Sequence, residues 1–520
     1  MAIPNIDWDE WSEPAIEPFM EAIVHFPGND VLLNDTNISN IDFTVPMFSS
    51  SSVLFGPPNP GTGSLEIIDF EQRFNPVYNN ELTDGIQIDL YLGLWPLDIE
   101  GHLGSNIVTS FEQPIAVNYL GQDVWASVVH IDNAYLYPLS RYRLEYTYIP
   151  NGSSDTITDW FEVPGDWFER HIYAITQDDQ YTVVNVIIRE VLPLKQRYGV
   201  FYSTEWSYDT SSHTATVEFV DELDKLLLTD NRVDSQDPAI NVDLQEFIVE
   251  LIELYKQIDN ALEATDTVEL PYSFYEDTQA TTINKGVEAL GASLISAHDG
   301  VFHLFKLYWY DTGITLTDGD VESYEFRQSS VATYDSVSVS AMIPSRVFNK
   351  ELLSLENISV AWPNEFYFST PRVFNVYAVV TSKEGNKYSD WWNADFNSIF
   401  WRLSNSQFFK TFTVYGSTIE LTEQLSNDAF VGATPYEISG NSYIPNTVYS
   451  EALASYLSEY IFQPYFTIKA TIRGCYGIWV GAKIHITSEL YGADADYIVV
   501  DLAYTYSGSV HTTLTMQRIS

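Results

Sequence analysis

Nine histidines are the first residues in this sequence that would do chemistry, and their spacing argues against it. No two sit at the i, i+4 spacing that places a pair of imidazoles on one helix face for zinc. His298 and His303 are five apart and straddle Asp299-Gly300, which reads as a turn. Asp318-Gly319-Asp320 opens like a calcium loop but lacks the twelve-residue ligand pattern, so a turn is the better reading there too. No G-x-S-x-G elbow and no G-x-x-x-x-G-K-[ST] loop occurs, which removes the simplest hydrolase and nucleotide readings. Any two of the 72 Asp and Glu residues could be nominated as a glycosidase pair. Such a pair is defined by its separation in space, which the sequence does not fix. Cys475 is the single cysteine, which excludes an intrachain disulfide framework and reads as a small buried hydrophobe. No catalytic, cofactor-binding or metal-ligating residue is therefore assigned.

One stretch has binding character. Residues 388 to 409 hold Tyr388, Trp391, Trp392, Phe396, Phe400, Trp401, Phe408 and Phe409. Aromatic rings stack on sugar faces and close channels by dewetting, and they also fill cores and subunit interfaces. Trp391, Trp392 and Trp401 are the candidate partner or glycan contacts, with core or interface as the competing reading.

These residues sit in an unusually acidic chain. Only 24 Lys and Arg accompany the 72 acids, 11 of them Lys, for a formal charge of -48. Such a surface repels itself unless salt shortens the Debye length to about 3 Å, near 1 M. The charge points to a high-salt environment, the plain alternative being acidity that only aids solubility. Basic clusters for gripping phosphates are absent, which disfavours nucleic-acid binding. With 45% hydrophobic residues the chain can nonetheless bury large cores. The N-terminus MAIPNIDWDEW lacks a signal-peptide pattern, and no run of 18 apolar residues would span a membrane.

The elements that must hold these residues are mostly strands. The aromatic share of 15%, with many Thr, Val and Ile, favours sheets. Residues 86–94 alternate Ile86, Ile88, Leu90, Leu92, Leu94 with polar positions, a half-buried strand. A hairpin runs from Tyr198–Trp206 through a turn to Thr214–Val220, and Asp221–Leu228 follows as a short helix or a tight turn. Apolar steps at Leu244, Phe247, Ile248, Leu251, Leu254, Tyr255 and Ile258 predict a helix over 244–262. A second is expected over 283–295, then a strand over 301–310. Strands return from Ser336–Met342, a helix is expected over 447–461, and 465–473, 481–487, 497–506 and 511–518 read as strands.

The expected fold class is mainly β with a smaller α/β part, in several domains. Residues 1–28 read as an arm lying on a neighbouring subunit. Residues 29–96 with 191–229 form one β unit, and 97–190 an inserted β domain. Residues 230–330 form a helical α+β domain. Residues 331–520 form a second β unit, with an aromatic-rich insertion near 370–430.

The order of these parts resembles the tail-tip or baseplate hub proteins of tailed viruses. The likeness rests on Gly199–Trp206 leading into Thr214–Val220 and Asp221–Leu226. It rests also on the helix-and-strand block whose Asp299-Gly300 opens Val301–Phe305. The third place is the C-terminal run Val480–Ile486, Asp496–Asp501, Ser507-Gly508 and Thr512–Thr515. The resemblance implies two tube-like β-barrel domains plus bracing domains. It implies a homotrimeric, non-enzymatic ring closing the distal end of the tail tube. Partners would be tail-tube and receptor-binding or fibre proteins, and viral DNA would pass through without specific binding. The location would be the virion tail tip, with a halophilic host inferred from the charge, and no cell-wall hydrolase follows the last expected strand. The inserted segment 97–190 and the aromatic stretch depart from the family pattern. The alternatives are a receptor- or carbohydrate-binding tail protein using the aromatic stretch and, more weakly, a glycan-degrading enzyme.

Overall fold

The computed structural model describes residues 18–34, 37–48, 57–95, 103–107, 109–119, 122–131, 141–164, 173–177, 181–229, 238–263, 266–328, 334–360, 364–370, 372–391, 398–401, 407–425, 434–461, 466–474, 478–489, 493–507 and 509–519. Cys475 and Trp392 lie outside them.

The chain opens on five strands: Pro18–His25 (β1), Asp30–Asn34 (β2), Ile38–Pro46 (β3), Thr62–Ile68 (β4) and Gln87–Leu94 (β5). In β5 the expected period of two holds, with Ile88, Leu90 and Leu92 buried. Here the expected N-terminal arm is corrected over residues 18–25. Met20, Ala22 and Val24 alternate into the core, and β1 is paired on both sides, by β2 and β5. Pro14, Pro18 and the flanking acids mask that alternation in the sequence.

Next come Leu103–Ile107 (β6), Thr109–Phe111 (β7), Ile115–Tyr119 (β8), Gln122–Ile131 (β9), Arg141–Pro150 (β10), Ile157–Pro164 (β11), Tyr173–Gln177 (β12) and Tyr181–Val191 (β13). They form two four-stranded sheets, one ordered β11-β10-β13-β6, the other β12-β9-β7 with β8 on β9. Tyr142, Leu144, Tyr146, Tyr148, Tyr181 and Ile188 are buried in a core of their own. Phe19, Trp95 and Val191 seal the junction with the opening strands, and the Arg141 guanidinium lies 4.5 Å above the Trp95 ring.

Leu194–Asp209 (β14) and Thr214–Asp221 (β15) are the expected hairpin, and Glu222–Leu228 (α1) follows at once. Asp221 caps α1, its Oδ1 accepting from the Leu223 and Asp224 amides, while Oδ2 accepts from Gly61 N at 2.7 Å. The helical block then runs Ile240–Asp243 (β16), Leu244–Glu253 (α2), Ile258–Asn260 (β17), Glu269–Tyr272 (β18), Gln279–Leu290 (α3), Ser293–Ser296 (β19) and Phe302–Phe305 (β20). Both helices stop short of the sequence expectation. Ile258 continues the helical spacing but pairs with Phe302 in the sheet β17-β20-β19. Gly291, left-handed at φ 59, ends α3, so Leu294 is buried from a strand instead. The helices meet where a Cβ on Gly286 would lie 2.3 Å from Ile248 Cδ1.

Tyr310–Thr317 (β21) and Val321–Gln328 (β22) pair with the last strands of the chain, so they belong to the main sheet rather than to the helical block. The following group is Ser336–Val360 (β23), Asn364–Tyr367 (β24), Val373–Ser382 (β25), Lys387–Trp391 (β26), Ser398–Trp401 (β27), Gln407–Leu425 (β28) and Pro435–Ile438 (β29). β23 continues well past the expected Met342 and pairs along β28 from Ser340 to Val360. At a strand rise of about 3.3 Å per residue, β23 extends for about 80 Å. Its root, with Val337, Val339 and Ala341, lies in the main core, while its far part shares a separate core with Phe412, Val414 and Ala378. Thr447–Ile461 (α4) then leads to Phe466–Arg473 (β30), Ala482–Ser488 (β31), Ala493–Tyr506 (β32) and Val510–Arg518 (β33).

The main sheet has 13 strands in the order β2-β1-β5-β14-β15-β4-β3-β32-β33-β30-β22, with β31 on β32 and β21 on β31. The fold is thus mainly β and multidomain, as expected. The two β units differ from the expectation in one respect: among the described residues neither closes into a barrel. They fuse edge to edge where Ile41–Pro46 pair with Asp501–Tyr506. The cause is β32. One edge of it holds β31 through residues 493–498 and β3 through 501–506, while β33 runs along the other edge with a register shift between Val499 and Asp501.

Candidate functional site

Alternation along the strands gives the main sheet two contrasting faces. Phe43, Leu65, Val217, Phe219, Leu502, Tyr504, Leu514, Ile468 and Ile472 turn inward and are fully or nearly fully buried. The opposite positions form rows across seven strands. One row reads Val220, Thr62, Thr44, Ala503, Thr513, Thr471, Ser323 in successive cross-strand pairs. The next reads Glu218, Ser64, Asp42, Thr505, His511, Arg473. This face is made of small hydroxyls with carboxylates set among them. Over Asp42, Thr44, Thr62, Ser64, Thr204 and Glu218 it sinks into a shallow depression of about 350 Å³.

Glu205 on β14, Glu218 on β15, Glu66 on β4 and Asp42 on β3 are outward carboxylates of this face. Among the described residues none of the four has a Lys or Arg partner. Glu205 and Glu218 are directly opposite each other, a like-charge pair that stands where solvent ions can screen it. Lys469, Arg473 and Arg327 stand on the face beyond the β3–β32 seam, and at its other end Lys195 and Arg197 of β14 sit opposite Gly93 and Tyr91 of β5. Beside the seam, burial raises the Asp501 carboxyl while Lys469 pulls it down. The histidines here stand among acids. His511 Nδ1 is 2.9 Å from Glu322, and His485 lies between Asp496 and Asp494 at 2.8 and 2.9 Å, contacts that raise its pKa.

Several of the scarce bases hold buried carboxylates. Arg372 Nη2 donates to both carboxylate oxygens of buried Glu276 at 3.0 Å, tying the root of the long hairpin to the helical block. Lys285 stands 3.6 Å from the same carboxylate and donates to the Gly440 carbonyl. Lys256 pairs with buried Glu222 on α1, whose other oxygen accepts from Tyr202 Oη at 3.1 Å. Burial and that carboxylate push Tyr255 up to about 12. Lys195 meets Glu21 at 2.6 Å, and Arg197 meets Asp89 at 2.8 Å.

The sequence-derived candidates fall as follows. Trp391 is the last residue of β26 and pairs with Tyr377 on β25. Trp401 ends β27, in a different two-stranded sheet, opposite Asn364. The two tryptophans are therefore not brought into one sheet, and Trp392 lies outside the described residues. What the sequence reading missed is a tyrosine pair on the strands next to β26. Tyr377 also pairs with Tyr415 on β28, and the two rings stack with centroids 5.6 Å apart at 23°. The signal was present as period-two alternation in Val373–Ser382 and Thr411–Tyr415. His303 is buried, 3.2 Å from Asp259 and 3.8 Å from Asp299, with its ring on Trp309. Asp320 Oδ2 accepts from Thr317 N at 2.8 Å and closes the β21–β22 turn. Among the described residues no cluster of three or more His, Cys, Asp or Glu could hold a metal ion, and no helix is long and apolar enough to cross a membrane.

Fold and face together define a mainly β, multidomain scaffold built on one long sheet with a hydroxyl-and-carboxylate surface. No protein-family model matches the chain, and no curated protein matches it either. Among solved structures it is similar to a tail protein from Neisseria meningitidis MC58, at 10% identity and a TM-score of 0.40, over 96% of both chains. It is similar to the 43 kDa tail protein of prophage MuSo2 from Shewanella oneidensis, at 9% identity and a TM-score of 0.42, over 96% of this chain and 98% of that one. It is also similar to the prophage tail protein gp18 from Listeria monocytogenes EGD-e, at 8% identity and a TM-score of 0.39, over 95% and 94% of the two chains. Similarities at this level carry no functional argument, which rests on the residues themselves.

Proposed function

We propose that the chain is a non-enzymatic structural hub of a viral tail tip or baseplate. Three copies close the distal end of the tail tube and form part of the conduit through which DNA leaves, in a virus of a halophilic host. One observation carries the reading: the outward face of the β15-β4-β3-β32 stretch offers hydroxyls and carboxylates, and among the described residues Glu218, Glu66 and Asp42 on it, like Glu205 on the adjoining β14, have no Lys or Arg partner. Passing DNA finds no Lys or Arg there to displace its counterions, so the gain that drives phosphate binding is missing. The spine also leaves β2 and β22 paired on one side only among the described strands, edges through which copies would add to a closed ring. Neighbouring tail-tube and receptor-binding or fibre proteins are the proposed partners. The stacked Tyr377 and Tyr415 rings favour a further binding role.

Electron microscopy of the protein in molar KCl tests the assembly, with a three-fold ring expected. A strictly monomeric particle that recruits no tail protein overturns the reading. The surface claim has its own check. Replacing Asp42 and Glu218 by Lys should turn a chain that DNA does not retain into one that retains it, with binding that weakens steeply as salt rises. Equal DNA retention by both chains counts against a conduit face.

A further inference from the structure

We propose that the solvent face of the sheet β26-β25-β28-β23 is a binding platform for a neutral polysaccharide, centred on Tyr377 and Tyr415. This goes beyond the hub reading and does not depend on it. The opposite face of the same strands is core, with Ala378, Val380, Phe412 and Val414 buried, so the platform stands on a rigid floor. The two tyrosine rings are held in register on adjacent strands and stacked at 5.6 Å. β26 flanks the pair, its backbone at position 391 in register with Tyr377. Strands lie about 4.8 Å apart, a spacing comparable to one sugar unit of an extended chain.

The polar groups around the rings are of the type that reads sugar hydroxyls. Asn349 sits where β23 shifts register, in left-handed backbone at φ 53, and its Oδ1 accepts from Tyr377 Oη at 3.4 Å. Ser354 and Thr413 hydroxyls are 3.3 Å apart one row further along. Glu351 is paired in register with Tyr415 and exposed, a carboxylate available to accept from sugar O–H groups. A pyranose is amphipathic in the same way: its C–H face lies flat on an aromatic ring while its rim of hydroxyls bonds to amides, hydroxyls and carboxylates. A protein partner would call for a more apolar centre depleted of such groups. Neutral sugars are specified at contact range, since the exposed Glu351 carboxylate paired with Tyr415 would repel a uronate or sulfate group seated there even where salt screens the rest of the charge.

The full chain in molar KCl is applied to an array of neutral and anionic oligosaccharides, and the best-retained glycan is then titrated by calorimetry. Retention of neutral glycans is expected, with a loss of at least about tenfold in Tyr377→Ala and in Tyr415→Ala, each about 1.4 kcal/mol or more. Tyr415→Phe should keep most of the affinity, since the ring and not the hydroxyl stacks. Unfolding midpoints accompany each titration, and Tyr415→Thr, a good strand former, replaces any alanine variant that fails to fold. The proposal is overturned if no neutral glycan is retained, if anionic glycans are preferred, or if folded variants lacking either ring bind unchanged. None of these results bears on whether the chain forms a ring, which is read separately by microscopy.

Discussion

The joints of the molecule and the outward face of its main sheet use carboxylates in opposite ways. At the joints Glu276 and Glu222 are buried and each holds a base, Arg372 with Lys285 in one case and Lys256 in the other. On the face Glu205, Glu218, Glu66 and Asp42 meet water and lack Lys or Arg partners among the described residues. At these joints the chain sets bases where a carboxylate would otherwise be stranded in low dielectric. The four acids on the face are left to ions from solution. A carboxylate in the joints is therefore part of the architecture, whereas one on the face sets how the surface treats salt and polyanions.

The sharpest way to break this contrast is to remove a cation from a joint. Arg372→Met leaves Glu276 buried beside Lys285 alone, with the bidentate contact gone. A loss of about 3–5 kcal/mol is expected in chemical denaturation, and it should persist in molar salt because the site is shielded. A loss below about 1 kcal/mol would mean the joint is no different from a surface pair.

Asp221 offers an intermediate case, a buried carboxylate that backbone amides satisfy in place of a base. Burial pushes it up to about 7 against the pull of the Gly61, Leu223 and Asp224 amides. An unfolded aspartate titrates near 3.9, so the folded state holds the proton more tightly. Stability from this group is then greatest below about pH 4 and declines as pH rises through about 7. Asp221→Asn should flatten that decline in a series of thermal scans. Asp221→Ala should cost about 2 kcal/mol through loss of the α1 cap and the Gly61 contact.

The smallest effect belongs to the face. Glu205→Gln removes a like charge opposite Glu218 and should stabilise the chain by about 0.5 kcal/mol in dilute buffer and by almost nothing in molar KCl. The same gain at both ionic strengths would show that the repulsion is not screened by salt and would erase the distinction between face and joint.

Local pattern made much of this architecture legible. The alternation from Ile86 to Leu94, the hairpin around Tyr208–His213 and the helix Thr447–Ile461 all depend on neighbours close in sequence. Ile258 and Leu294 misled because each continues a helical spacing by chance of position while pairing decides its structure. Met20, Ala22 and Val24 were hidden by prolines and acids that suggest an arm. Pairing between remote segments left no trace: nothing in Ile41–Pro46 announces Asp501–Tyr506. The candidate site follows the same rule. An aromatic cluster can be counted in the sequence, and Trp391 and Trp401 stand out there, but register decides which rings share a row. That register brings Tyr377 to Tyr415 and leaves Trp401 in another sheet.

The seam between β3 and β32 also has a consequence in time. During synthesis β3 emerges early and its outer edge has no mate until nearly the whole chain has been made. Until then a row of unpaired amides and carbonyls, backed by Phe43 and Val45, lies open to any passing strand. Closure of the main sheet is thus a late and long-range event, of the kind that slows folding. Asp42 on that edge, with the acids of β4 and β15 beside it, would repel other nascent copies of the same chain while it waits.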